Sequence, residues 1–221
     1  MHAWPASAEE LIDVQEKLAR ETPPLWQPSG QHITIGGCFV CFERGPSGPG
    51  RKGESAWAGA AVVRGGRVVE SAVVTGDAGD AYEAGLLALR EGPILESAVC
   101  ALTHRPEVLL VDATGLDHPR RAGLALHLGA VLDLPTVGVT HRPLLAVGEP
   151  GDRNPLRIGD ELVGYWVVTR SGTRPLAVHA AWRTDPETAL AVVLTSIGSA
   201  RTPEPLRAAR TAARSARAKR S

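Results

Sequence analysis

The chain has 221 residues, equal numbers of basic and acidic side chains, 43% hydrophobic residues and 22% charged ones. That balance excludes a disordered or fibrous chain, and no uncharged apolar run reaches the roughly 18 residues that a membrane span needs. Met1 to Glu10 lacks the basic-then-apolar pattern of a secretory signal, so a cytoplasmic, monomeric protein without membrane contact is expected.

Ser7-Ala8-Glu9-Glu10 resembles a capping box, and Leu11, Val14 and Leu18 follow at helical spacing. This first helix should stop before Pro23-Pro24, and a Pro/Gly-rich passage to Gln31 leads into a strand over Ile33 to Phe42. Cys38 and Cys41 lie within that strand. Positions three apart face opposite sides, so the pair reads as buried thiols rather than as a metal knuckle; Cys100 is the third cysteine. Gly45 to Gly53 has too many turn-formers for regular structure. Ala56–Val63 and Val68–Thr75 read as a hairpin turning at Gly65-Gly66.

The pattern then changes. Leu86 to Leu102 has a helical period, with Gly92-Pro93 expected to break or restart it. Glu107–Asp112 is an apolar strand ending in an acid, Gly123 to Leu132 a helix and Pro135–Thr140 another short strand. This order argues for a parallel βαβ unit. Asp160–Arg170 and Arg174–Ala180 suggest a late hairpin. Pro186 to Ile197 suggests a closing helix capped by Asp185. Residues 201–221 carry seven basic residues against one acid, Glu204, and leave the preceding body acidic. A frayed, solvated helix end is the plainer reading of that tail, and contact with nucleic acid is the other. One domain is expected, divided as a lead-in over 1–30, a body over 31–205 and a basic Ala/Arg-rich tail over 206–221.

Asp112 is the most informative residue by position, because ligands of open α/β sheets bind beyond the carboxyl ends of parallel strands. An acid there is either a site residue or a cap for the next loop. Arg120 and Arg121 follow closely and suit phosphate.

The segment Leu109-Leu110-Val111-Asp112-Ala113-Thr114-Gly115-Leu116-Asp117-His118-Pro119-Arg120-Arg121 resembles the central motif of the endonuclease V family. Tyr82 and Gly85 to Pro93 resemble the family's tyrosine-to-glutamate segment, and Pro203-Glu204-Pro205 with Arg207 its C-terminal signature. The resemblance implies an α/β, ribonuclease H-like mixed sheet with helices on both faces in a single domain. It also implies a DNA-repair nuclease that hydrolyses a phosphodiester 3′ to deoxyinosine with Mg²⁺ or Mn²⁺, on single- or double-stranded DNA or on RNA. Asp112 and Glu91 would be the metal ligands and catalytic residues, with His141 at a position the family gives to lysine. Tyr82, Gly85, His118, Arg120 and Arg121 would contact the nucleic acid, Tyr82 as part of a strand-separating wedge.

Two further ligand positions of the family fall on Phe39 and Trp182, which offer no oxygen to a hard cation. Asp117, His141 and His179 are the candidate stand-ins. The alternative is a lesion- or nucleic-acid-binding homologue with impaired catalysis.

Overall fold

The computed structural model describes residues 4–30, 33–43 and 48–219. Residues 45–47 of the expected Gly45–Gly53 loop lie outside the described residues, as do Gln31 and the last two residues of the tail. Helix α1 (Ala8–Leu18) starts where the capping box places it: the Ser7 side chain accepts from the Glu10 N–H, while Glu10 accepts from the Ala6 N–H at 2.8 Å. Strands β1 (Thr34–Phe42), β2 (Ser55–Arg64) and β3 (Arg67–Asp77) form an antiparallel meander, with Gly65 and Gly66 both at positive φ in the tight turn. Cys38 and Cys41 are free, buried and divided between apolar clusters on opposite faces.

Helix α2 (Leu87–Cys100) runs through Pro93 without a break. Pro93 leaves the Leu89 carbonyl without its helical donor. At the next carbonyl, Arg90, the Gly79 N–H supplies a donor from outside the helix at 3.0 Å. Next come β4 (Val108–Val111), α3 (Leu124–Leu132) and β5 (Thr136–Thr140). They are followed by β6 (Pro155–Ile158), which the pattern did not announce, and by β7 (Glu161–Val167) and β8 (Leu176–Ala180). Helix α4 (Pro186–Thr195) is capped by Asp185, which accepts from the Thr188 N–H at 2.7 Å.

The strands form one sheet in the order β3-β2-β1-β4-β5-β8-β7-β6, parallel for β1-β4-β5 and antiparallel elsewhere. One face packs against α1, α2 and α3, the other against α4 and helix α5 (Glu204–Ala218). The single-domain mixed sheet with helices on both faces is therefore present. No helix among the described residues is long and apolar enough to cross a membrane.

The tail differs from its plainer reading. Residues 204–218 form a helix with Leu206, Ala209 and Ala213 buried against the sheet, so the boundary drawn at residue 205 falls inside α5. Glycines permit the close approach: a Cβ at Gly37 would lie 2.3 Å from the Pro205 carbonyl carbon, and one at Gly59 would lie 2.4 Å from the Ala209 oxygen. A helix this close to β1 and β2 carries its arginines across the sheet toward the end of β4.

Candidate nucleic-acid cleft and carboxylate pair

Asp112 follows the last residue of β4, at the carboxyl end of the parallel strands. Two clefts meet beside it. One, of about 210 Å³, runs between the Tyr82–Gly85 loop and Thr114, Leu124 and Arg142; the other, of about 220 Å³, lies over Phe39 and Glu91. Asp112, Tyr82 and Leu87 line both.

The Tyr82 loop is held by a carbonyl. Gly85 has φ +82°, a conformation open to glycine at little cost, and its carbonyl accepts from Gln15 Nε2 (3.1 Å), His118 Nε2 (3.0 Å) and Arg120 Nη2 (3.0 Å). Because His118 Nδ1 accepts from the Arg120 N–H, the ring proton sits on Nε2. Burial is the largest cause that lowers the His118 pKa to about 4, so the ring is a neutral donor. Arg120 Nε also donates to Gln15 Oε1 at 2.6 Å. His118 and Arg120 thus position the loop, and Tyr82 projects from it with 52% of its surface exposed. Arg121 sits at φ +57°, donates to the Leu116 carbonyl and pairs with Glu161. Arg90, which the sequence did not single out, anchors the same region: it pairs with Glu54, donates to the Asp80 carbonyl and stacks on Phe42.

At the carboxylates the neighbours decide the chemistry. The parallel register sets Cys38 against Val111, so Phe39 stands beside Asp112. Arg210 on α5 donates from Nη2 to Asp112 Oδ2 at 2.9 Å, its guanidinium carbon 4.9 Å from the centre of the Phe39 ring; Arg214 stands 5.5 Å from that centre. Glu91 is pushed up to about 8, chiefly by burial and secondarily by Asp112, with Arg90 opposing. Burial and the same two acids hold the Cys38 thiol protonated.

The candidate stand-ins do not join them. Asp117 is fully buried and accepts the backbone N–H groups of Leu144, Leu145 and Ala146 at 2.6, 2.8 and 2.7 Å. His179 is buried with Nδ1 3.7 Å from Asp117 Oδ2 and Nε2 3.0 Å from Thr140 Oγ1, and burial lowers its pKa. His141 lies against Arg201, Nδ1 to Nη1 at 3.1 Å. Burial and then Arg201 lower its pKa, while Asp112 raises it.

Trp182 requires a correction. Strand β8 runs antiparallel to β5, so Trp182 meets Thr136 at the start of β5, the opposite end of the sheet from Asp112. It is buried in the core against Gly129 of α3. The late residue that reaches Asp112 is Arg210. Its sequence signal is the Arg207, Arg210, Arg214, Arg217 stripe at helical spacing; nothing local names Asp112 as its destination.

A divalent cation does not fit these donors. Asp112 is already paired with a guanidinium, and Phe39 contributes no oxygen. Among the described residues no group of three or more His, Cys, Asp or Glu side chains could hold a metal ion.

A family model for Endonuclease V matches residues 28–211. The endonuclease V of Methanopyrus kandleri is 35% identical over 211 residues, 92% of this chain and 86% of its own. The crystal structure of the Streptomyces avermitilis endonuclease V superposes with a TM-score of 0.83 at 33% identity, covering 99% of this chain and 96% of that one. The Ciona intestinalis endonuclease V, in complex with a 24mer DNA containing an inosine followed by a ribo-adenosine, superposes with a TM-score of 0.82 at 21% identity. That alignment covers 96% of this chain and 98% of the other, and at this identity it is a likeness of fold. The mixed sheet is the ribonuclease H-like arrangement of these structures.

Proposed function

Since this chain belongs to the endonuclease V family, we propose that it binds inosine-containing nucleic acid in the cleft between Tyr82 and Asp112 and does not hydrolyse it through a divalent cation. The observation that carries this reading is the Asp112–Arg210 pair beside Phe39: the strand-end carboxylate that a cation would need is neutralised from within. The recognition half is supported separately. The Gly85 carbonyl network holds the Tyr82 loop over a cleft, Tyr82 offers an exposed aromatic face for stacking, and the fold is shared with an endonuclease V solved with inosine-containing DNA.

The test pairs binding with cleavage. A labelled single-stranded DNA carrying one inosine, and its adenine counterpart, are titrated with the protein in EDTA and then incubated with Mg²⁺ or Mn²⁺. The expected result is tighter binding of the inosine strand and no metal-dependent product. Product 3′ to inosine that disappears in Asp112→Asn would establish the hydrolytic activity instead, and equal binding of the two strands would remove the lesion from the proposal.

A further inference from the structure

Three arginines gather near the end of β4 from two directions. Arg210 and Arg214 come from α5 and share the Phe39 ring. Arg201 comes from the loop before α5, its guanidinium fixed by the carbonyls of Arg174 and Pro175 at 2.7 and 2.9 Å and by His141. The positive charges of Arg174 and Arg210 act on Arg201 at close range.

Against this cluster stands Asp112, which among the described residues pairs with Arg210. Among the described residues neither Arg201 nor Arg214 has a carboxylate partner, and Arg210 Nε is a buried donor with no acceptor. By contrast, Arg207 on the same helix is paired with Glu204, and Arg217 donates to the Phe42 carbonyl. Unbalanced guanidinium groups gathered beside a cleft repel one another, and an anion that bridges them relieves the repulsion. The planar N–H fork fits a phosphate, and a nucleic-acid strand passing Tyr82 and Asp112 would bring one there.

We propose that Arg210, Arg214 and Arg201 form a seat for a backbone phosphodiester beside Asp112, with Arg210 supplying from the chain itself the positive charge that Asp112 would otherwise take from a bound cation. The seat rests on the nucleic-acid reading above but not on inosine. Phosphate contacts position a strand without reading its bases.

The experiment is equilibrium binding of the same two oligonucleotides in EDTA across a salt series. It compares the parent with Arg210→Gln, Arg214→Gln and, as a control for lost charge, Arg20→Gln at the exposed turn just after α1. Arg210→Gln and Arg214→Gln should each weaken binding roughly tenfold on both strands alike. Each should also lower the slope of log affinity against log salt by about one. Arg20→Gln should match the parent, and Mn²⁺ in place of EDTA should change nothing. Arg214 is exposed, so its variant reports on binding even if Arg210→Gln perturbs the fold. Seat variants that bind like Arg20→Gln, or parent binding that needs Mn²⁺, would overturn the seat, as would a parent that binds neither strand. A parent that fails to prefer inosine while both seat variants lose affinity would overturn only the lesion reading.

Discussion

Replacing Asp117 should unfasten the wall of the cleft, and the size of the effect follows from its three hydrogen bonds. The carboxylate caps consecutive N–H groups at Leu144, Leu145 and Ala146, at 2.6, 2.8 and 2.7 Å. An alanine strands all three donors. The Ala146 N–H is buried and bears the full penalty of about 1–3 kcal/mol, whereas Leu144 and Leu145 are exposed and regain part of theirs from water. Asp117→Ala should therefore cost about 3–5 kcal/mol. Asp117→Asn keeps one carbonyl oxygen with two lone pairs and should cost about 2 kcal/mol. Urea unfolding at pH 7.5 tests both, since His179 is then neutral and the charge beside it contributes little. A loss below about 1 kcal/mol in the alanine variant would refute the capping role. An asparagine variant as unstable as alanine would mean that both carboxylate oxygens are needed, since Leu144 bonds Oδ2 while Leu145 and Ala146 bond Oδ1.

Three other outcomes are expected. Phe39→Asp combined with Arg210→Gln places a second carboxylate beside Asp112 and removes its internal partner, so Mn²⁺ binding should appear in that variant and be absent from the parent; Mn²⁺ paramagnetic resonance decides it, and no uptake by the double variant would mean these acids do not converge. Gly85→Ala forces a side chain into φ +82°, which should cost about 1–2 kcal/mol and lower the preference for inosine by shifting Tyr82; unchanged melting and selectivity would contradict that. The third concerns pH. His118 is lowered to about 4 in the folded protein, so the unfolded chain takes up the proton first. Its contribution, at most about 3 kcal/mol, is full above 6.5 and is lost as pH falls toward 4. Glu91, raised to about 8, works in the opposite sense: its contribution is full below 4.5 and lost as pH rises through 8. Melting temperature should thus decline between pH 6.5 and 8, and Glu91→Gln should abolish that decline; a flat parent profile there would show that the carboxyl is solvated.

The elements that sequence made visible are those whose signal is local. Val108 to Val111 is an unbroken apolar run, Asp185-Pro186 opens a helix, and Gly65-Gly66 turns a hairpin. Strand β6 escaped because Leu156 is its one buried residue, too little for a period. The length of α2 was obscured by Pro93, whose lost helical bond is tolerated in a helix supported from outside by Gly79. Helix α5 looked like a solvated tail because Leu206 is its one large buried apolar residue; beyond it the helix docks through Ala209 and Ala213, which lie close over Gly59. Asp112, Glu91 and Tyr82 come together at the clefts because a strand end, a helix and its preceding loop are fixed by the fold's connectivity. Trp182 was misplaced because linear order says nothing about which end of an antiparallel strand a residue reaches.

That docking has a kinetic consequence. Beyond Leu206 the contacts of α5 are made through alanine and remove little apolar area from water, and a 15-residue helix is marginal by itself, so α5 should undock more readily than the central strands open. Each such excursion separates Arg210 from Asp112 and exposes a bare carboxylate for as long as the helix is away. A strand bridging α5 and the sheet would shorten those intervals. Amide exchange along residues 204–218 would then slow on binding, while exchange in the core strands stayed as it was.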